Sequence, residues 1–118
     1  MKKDDVMRLQ HMLEAAREAT FFAKGHKRED LDTNRMLMHT LVRVIEIIGE
    51  AATNVSTEAR ERIPNIEWHK VIGMRNRLAH AYFDINLDIL WDTVDYDIPR
   101  LISQLEFLPY LQKENGNQ

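Results

Sequence analysis

Asp32-Thr33-Asn34-Arg35-Met36-Leu37-Met38-His39-Thr40-Leu41-Val42-Arg43-Val44-Ile45-Glu46-Ile47-Ile48-Gly49-Glu50-Ala51-Ala52-Thr53-Asn54-Val55 carries two apolar stripes at helical spacing. One is Leu37, Leu41, Val44, Ile48, Ala51 and Val55; the other is Met38, Val42, Ile45, Gly49 and Ala52. Steps of three and four residues keep side chains on one face of a helix. Two adjacent stripes make the apolar face about twice as wide as a surface helix needs. This helix must therefore bury against more than one neighbour. Two arrangements satisfy that demand: a core packed on several sides, or one stripe turned to a second subunit with Gly49 allowing close approach. A polar stripe, His39, Arg43, Glu46 and Glu50, runs along the same helix. It reads either as a solvated face with Arg43–Glu46 as an i,i+3 pair or as the border of a functional cleft.

Towards the N-terminus, Val6, Leu9, Leu13, Ala16 and Thr20 repeat at steps of three and four, which predicts a helix over about 4–24 with Asp4 or Asp5 as N-cap. Gly25 stands near its C-cap and opens a polar connection to Asp30. Towards the C-terminus, Ser56 caps a short helix that Pro64 ends. A further helix is expected from about Ile66–Trp68 to Leu78 or Ala79, then a turn over 81–85. Asn86 caps the last helix, whose stripe is Leu87, Trp91, Val94, Ile98, Leu101, Leu105 and Leu108. Pro99 lies inside that stripe, so a kink is expected there. No strand alternation and no internal repeat are visible. The expected fold is all-α, an up-and-down bundle of four to five helices over 1–112, with a flexible polar tail over 113–118.

The 118 residues suit one domain with one core. Cysteine is absent, which excludes disulfides and thiolate chemistry. No apolar run approaches the roughly 20 residues of a membrane span. Met1-Lys2-Lys3-Asp4-Asp5 leads into a polar amphipathic segment and not a signal peptide, so a cytoplasmic location is expected. The net charge is −3, which by itself does not point to nucleic acid. Its distribution is uneven: residues 55–83 hold five basic and three acidic side chains, whereas 84–118 hold two basic and seven acidic. A polyanion would dock on the middle stretch, through a local site more than through bulk charge.

The five histidines, at 11, 26, 39, 69 and 80, form no i,i+3 or i,i+4 pair, so no metal site and no cofactor are expected. The four glycines are scattered, and no phosphate-cradling loop forms from them. What remains is Gly73-Met74-Arg75-Asn76-Arg77-Leu78-Ala79-His80-Ala81-Tyr82-Phe83. Taken alone, Arg75 could simply cap helix carbonyls and His80 could be a satisfied neighbour. The stretch resembles the Arg-x(4–6)-His motif of HEPN-domain ribonucleases, in the Arg-Asn-x-x-x-His-x-Tyr form of the HepT toxin branch. Ile47-Ile48-Gly49-Glu50-Ala51-Ala52, Ile63-Pro64 with Trp68 and Ile72-Gly73-Met74, and Trp91 with Ile98-Pro99-Arg100-Leu101 are similar to the same family, so the resemblance covers about residues 5–110.

The chemistry suits these side chains. RNA brings its own nucleophile, the 2′-OH beside the scissile phosphate. An enzyme must supply a base, an acid and positive charge on phosphorus. His80 titrates near neutrality, Arg75 can grip two phosphate oxygens, and Asn76 can orient His80 or a sugar hydroxyl. Arg75, Asn76 and His80 are the candidate catalytic residues of a metal-independent endoribonuclease. Arg77 and Lys70 read either as RNA-backbone contacts or as exposed helix charges, and Trp68 reads as core more than as a base-stacking platform. One histidine cannot readily serve both sides of an in-line displacement, so a homodimer with a composite cleft is expected. The resemblance implies a dimer with the motif at its interface. It also implies AMPylation of Tyr82 by a partner MntA-type minimal nucleotidyltransferase acting as antitoxin. Two other readings stay open: a non-catalytic helical module that presents substrate or nucleotide to a nucleotidyltransferase, and a structural dimer in which Arg75 and His80 only stabilise a helix end.

Overall fold

The computed structural model describes residues 1–81 and 84–111, with the backbone alone for His80 and Ala81. The expected 113–118 tail, like Tyr82, lies outside the described residues.

Helix α1 (Lys3–Ala23) buries Leu9, Met12, Leu13, Ala15, Ala16 and Ala19. Its apolar face is thus wider than the sequence stripe, and Thr20 stays on the exposed side. Lys2 occupies the N-cap position and makes no side-chain cap bond, so neither Asp4 nor Asp5 is the cap. Asp5 instead reaches across the chain, because its carboxylate accepts from the Ser56 backbone N–H at 2.8 Å and from Ser56 Oγ at 2.7 Å. Gly25 ends α1 at φ +80°, a conformation that costs glycine little. A 3₁₀ turn (Arg28–Asp32) follows and buries Leu31.

Helix α2 (Arg35–Thr53) starts at Asn34, whose side chain accepts from Leu37 N at 2.9 Å. Leu37, Leu41, Val42, Val44, Ile45, Ile48 and Ala52 are all buried within the one chain. Most of both stripes packs inside the chain against α1, the 3₁₀ turn and the helices that follow, while Met38, Gly49 and Ala51 stay part-exposed. Gly49 meets Ile72 O of the same chain: a Cβ placed there would stand 3.4 Å from that carbonyl. Within the chain, its close approach is to the helix that carries Ile72.

Helix α3 (Thr57–Arg62) is capped by Ser56, whose Oγ accepts from Ala59 N. Arg60 turns back to donate to Ala52 O, Thr53 O and Val55 O, closing the C-terminus of α2. The expected next helix is broken in two at Gly73, giving α4 (Trp68–Ile72) and α5 (Met74–Leu78). Trp68 is partly buried against the core, donates Nε1–H to Ile63 O and lies under the Arg60 guanidinium, so its ring is engaged inside the fold. The expected turn after α5 is a short antiparallel ladder, β1 (Ala79–Ala81) against β2 (Asp84–Ile85), closed by Asn86 N–H donating to Leu78 O at 2.7 Å.

Asn86 caps α6 (Leu87–Asp92) through Ile89 N. A π turn (Thr93–Asp97) joins it to α7 (Ile98–Glu106). Pro99 has no N–H to give to a carbonyl four residues back. The disturbance it causes is this π turn, marked by Ile98 N–H bonding Thr93 O. Among the described residues, α1, α2, α3, the α4–α5 pair and the α6–α7 run make an all-α bundle with α2 at its centre. No helix among the described residues is long and apolar enough to cross a membrane.

The Asp5 clamp is testable. Burial pushes the Asp5 carboxyl pKa up, but the two Ser56 hydrogen bonds and the nearby Lys2 and Arg8 outweigh this, so the net shift is downward. Asp5→Ala should cost about 2 kcal/mol at neutral pH in urea unfolding, the scale for hydrogen bonds to a charged group. The clamp is complete above the ordinary aspartate range and is lost as pH falls through the lowered folded-state pKa. The gap between wild type and variant should therefore narrow below about pH 4.

Candidate functional site

Helix α5 is anchored by Met74 and Leu78, one turn apart and both buried. That anchoring fixes what its other residues can reach. Arg75 turns towards α2, where its Nε–H donates to Glu46 Oε2 at 3.2 Å. Both side chains remain about one-third exposed, 38% for Arg75 and 35% for Glu46. Asn76 is exposed on the same short helix. Arg77 turns the other way, towards the π turn, with Nη2 3.9 Å from Asp97 Oδ2. Lys70 on α4 reaches the same carboxylate, Nζ to Oδ1 at 3.2 Å.

The polar stripe of α2 thus borders the motif. Glu46 Oε1 lies 3.7 Å from Arg43 Nη1, and Arg43 Nη1 lies 3.3 Å from Glu50 Oε1. The expected Arg43–Glu46 pair exists, but it is one link in a chain of alternating charge: Glu50, Arg43, Glu46, Arg75. Among the described residues Arg75 pairs with Glu46, and it is Arg60 that caps the last carbonyls of α2. The structure brings Arg75 and Asn76 together on α5 and sets Lys70 and Arg77 on the opposite side, at Asp97. His80 follows in β1 by its backbone, and its side chain lies outside the described set.

Two residues the motif does not contain therefore belong to this region. Glu46 was visible only as part of a polar stripe. Asp97 had no signal, because it stands far along the chain from both Lys70 and Arg77. Among the described residues, no group of three or more histidine, aspartate or glutamate side chains could hold a metal ion.

A family model described as "Ribonuclease HepT-like" matches residues 12–108. A protein of Methanocaldococcus jannaschii named "Putative RNase" is 35% identical over 109 residues, covering 92% of this chain and all of that relative. One of the same name from Caldanaerobacter subterraneus subsp. tengcongensis is 38% identical over 106 residues, covering 90% of this chain and 93% of the relative. A "Probable ribonuclease HepT" of Thermococcus cleftensis is 33% identical over 108 residues, covering 92% and 98%. No solved structure matches the chain significantly.

The packing of α4 on α2 sets where α5 presents Arg75, and Gly49 is the contact that reports it. A Cβ at Gly49 would make ordinary van der Waals contact with Ile72 O at 3.4 Å. Gly49→Ala should therefore be neutral or stabilising by up to about 1 kcal/mol, from helix propensity. Gly49→Leu should cost about 1–3 kcal/mol by wedging α4 away. Urea unfolding of the three proteins checks the order.

Proposed function

The chain belongs to the HepT-like ribonuclease family, and on that premise we propose that it is the toxin of a toxin–antitoxin pair, a metal-independent endoribonuclease. One observation carries the reading. Arg75 stands part-exposed on a helix pinned from below, with Asn76 beside it and His80 following in β1. The motif supplies what a phosphodiester needs: a forked cation and a polar side chain on α5, with a histidine, a residue type suited to proton transfer near neutrality, following in the chain.

In the proposed reaction His80 takes the 2′-OH proton as the 2′-oxygen attacks phosphorus. The P–O5′ bond breaks, and the 5′-oxygen leaves with a proton from an acid. The products are a 2′,3′-cyclic phosphate and a 5′-hydroxyl. Arg75 holds the non-bridging oxygens, where charge develops, and Asn76 orients the imidazole or a sugar hydroxyl. A second copy of His80, brought by a two-fold homodimer, supplies the acid on the far side of the displacement. Lys70 and Arg77 have a smaller part in this scheme. They share the single carboxylate of Asp97, which offsets part of their charge and turns them away from Arg75.

Tyr82 is the proposed off-switch. In this proposal an AMP group transferred to its hydroxyl by a cognate minimal nucleotidyltransferase adds negative charge and bulk to the motif segment, competes for the phosphate site and excludes RNA. The non-catalytic module is less well supported, since a presenting surface has no need of a titrating imidazole following an exposed arginine.

Expression of wild type and His80→Ala in a bacterial host tests the reading. Wild type should arrest growth and leave RNA fragments with 2′,3′-cyclic phosphate ends, while His80→Ala should do neither. Cleavage by purified protein should persist in a chelator. Equal growth and identical RNA profiles would remove the proposal. Tyr82→Phe should keep cleavage yet escape neutralisation by the cognate transferase, and normal neutralisation of that variant would remove the switch alone.

A further inference from the structure

Glu46 lies on the solvent strip of α2, and its carboxylate is shared between two arginines. Oε2 accepts from Arg75 Nε at 3.2 Å; Oε1 faces Arg43 Nη1 at 3.7 Å, and Glu50 accepts from the same Nη1 at 3.3 Å. An ion pair this exposed adds little to stability, so its effect is felt in orientation. A guanidinium has two hydrogen-bonding edges, the Nε side and the pair of terminal nitrogens. Glu46 takes the Nε side. Among the described residues the hydrogen bond to Glu46 is through Nε, which leaves the terminal pair, the edge that grips a phosphate with two parallel bonds, outside that bond. Left alone, a long arginine stem samples many rotamers and loses that freedom only when substrate arrives.

Resting on the ribonuclease reading above, we propose that Glu46 is a positioning residue for Arg75. It fixes the guanidinium through Nε so that the terminal edge meets the phosphodiester, and Arg43 and Glu50 keep Glu46 itself in place. The arrangement has a distinctive electrostatic cost. A carboxylate beside the site repels RNA in the ground state, so Glu46 weakens binding while aiding the step in which charge builds on the phosphate oxygens. Removing it should separate affinity from turnover.

The test compares wild type, Glu46→Gln and Glu46→Ala on one oligoribonucleotide at fixed salt. Affinity is measured on the 2′-O-methylated form of the same oligonucleotide, which lacks the nucleophile. Glu46→Ala should lower kcat about 10- to 100-fold, the scale of an ångström-sized misplacement, with Kd unchanged or tighter. Glu46→Gln keeps an acceptor for Nε–H and should retain most of the activity. Melting temperatures should coincide. Nitrogen-detected NMR of the arginine Nε–H groups supplies a readout independent of cleavage: the Arg75 Nε–H should be slow to exchange in wild type and Glu46→Gln, and fast in Glu46→Ala. A Glu46→Ala protein that cleaves as well as wild type, or loses affinity with no loss of kcat, overturns the proposal. So does a wild-type Arg75 Nε–H that exchanges as fast as in Glu46→Ala. If wild type cleaves no better than His80→Ala, the ribonuclease reading fails, and the NMR arm still decides whether Glu46 holds Arg75.

Discussion

Helix α2 is buried on two sides at once, and the rest of the fold arranges itself around that demand. Seven of its nineteen residues are buried, six of them Leu, Ile or Val. At about 1.5–3 kcal/mol for each fully buried aliphatic side chain, the helix has on the order of 10 kcal/mol at stake. Each exposed ion pair on its surface is worth about 1 kcal/mol or less. The core decides the position of α2, and its charges settle where the core leaves room. That room is one strip, the line of Arg43, Glu46 and Glu50. Because α4 approaches at Gly49 and α5 is pinned by Met74 and Leu78, Arg75 arrives beside this strip. The pairing with Glu46 is a consequence of the packing and not its cause.

The periodic parts of this architecture were legible in the amino-acid sequence. The stripes of α2 and of the last helix have the right period, and local devices such as Gly25, Ser56 and Asn86 act within a few residues of themselves. Interactions between distant positions were not legible. Asp5 looks like an N-cap by its place in the chain, yet it binds Ser56, 51 residues away. Gly73 sits within an expected helix that breaks there, and a Cβ at this position would press to 3.2 Å on His69 O. Pro99 announced a disturbance. That it takes the form of a π turn upstream depends on how α6 and α7 both remain against the core. The short ladder at 79–85 has no alternation to betray it; it forms where α5 and α6 are held close enough for Asn86 N–H to reach Leu78 O.

The site divides along the same line. Arg75 and Asn76 could be proposed from the sequence because their spacing to His80 is local. Glu46 was half visible: helical spacing put it on a polar strip, but which residue of another helix would face it required the tertiary packing. Lys70 and Arg77 show how tertiary packing adds what spacing omits. Read along the chain they are free cations in the one positive stretch. In three dimensions both lean on Asp97, a residue of the most acidic stretch. Segment charge counts neighbours in the chain, whereas the field at a phosphate is set by neighbours in space.

That cancellation bears on how such a surface could work on RNA. Arg75 shares Glu46 with Arg43, Lys70 and Arg77 share Asp97, and Arg100 stands 3.8 Å from Glu67. A cation that already has a carboxylate releases little counterion when a phosphate arrives, so its contribution to non-specific affinity is small. What it keeps is direction. A guanidinium held on one edge can still form two parallel bonds on the other, and it does so without first giving up rotamer freedom. Transition-state stabilisation depends on interactions stronger at the reacting phosphate than at any other, and uniform attraction to every phosphate of a polymer supplies none of that difference. Partly offset, oriented cations on an acidic chain favour geometry at one phosphodiester over tight binding to many.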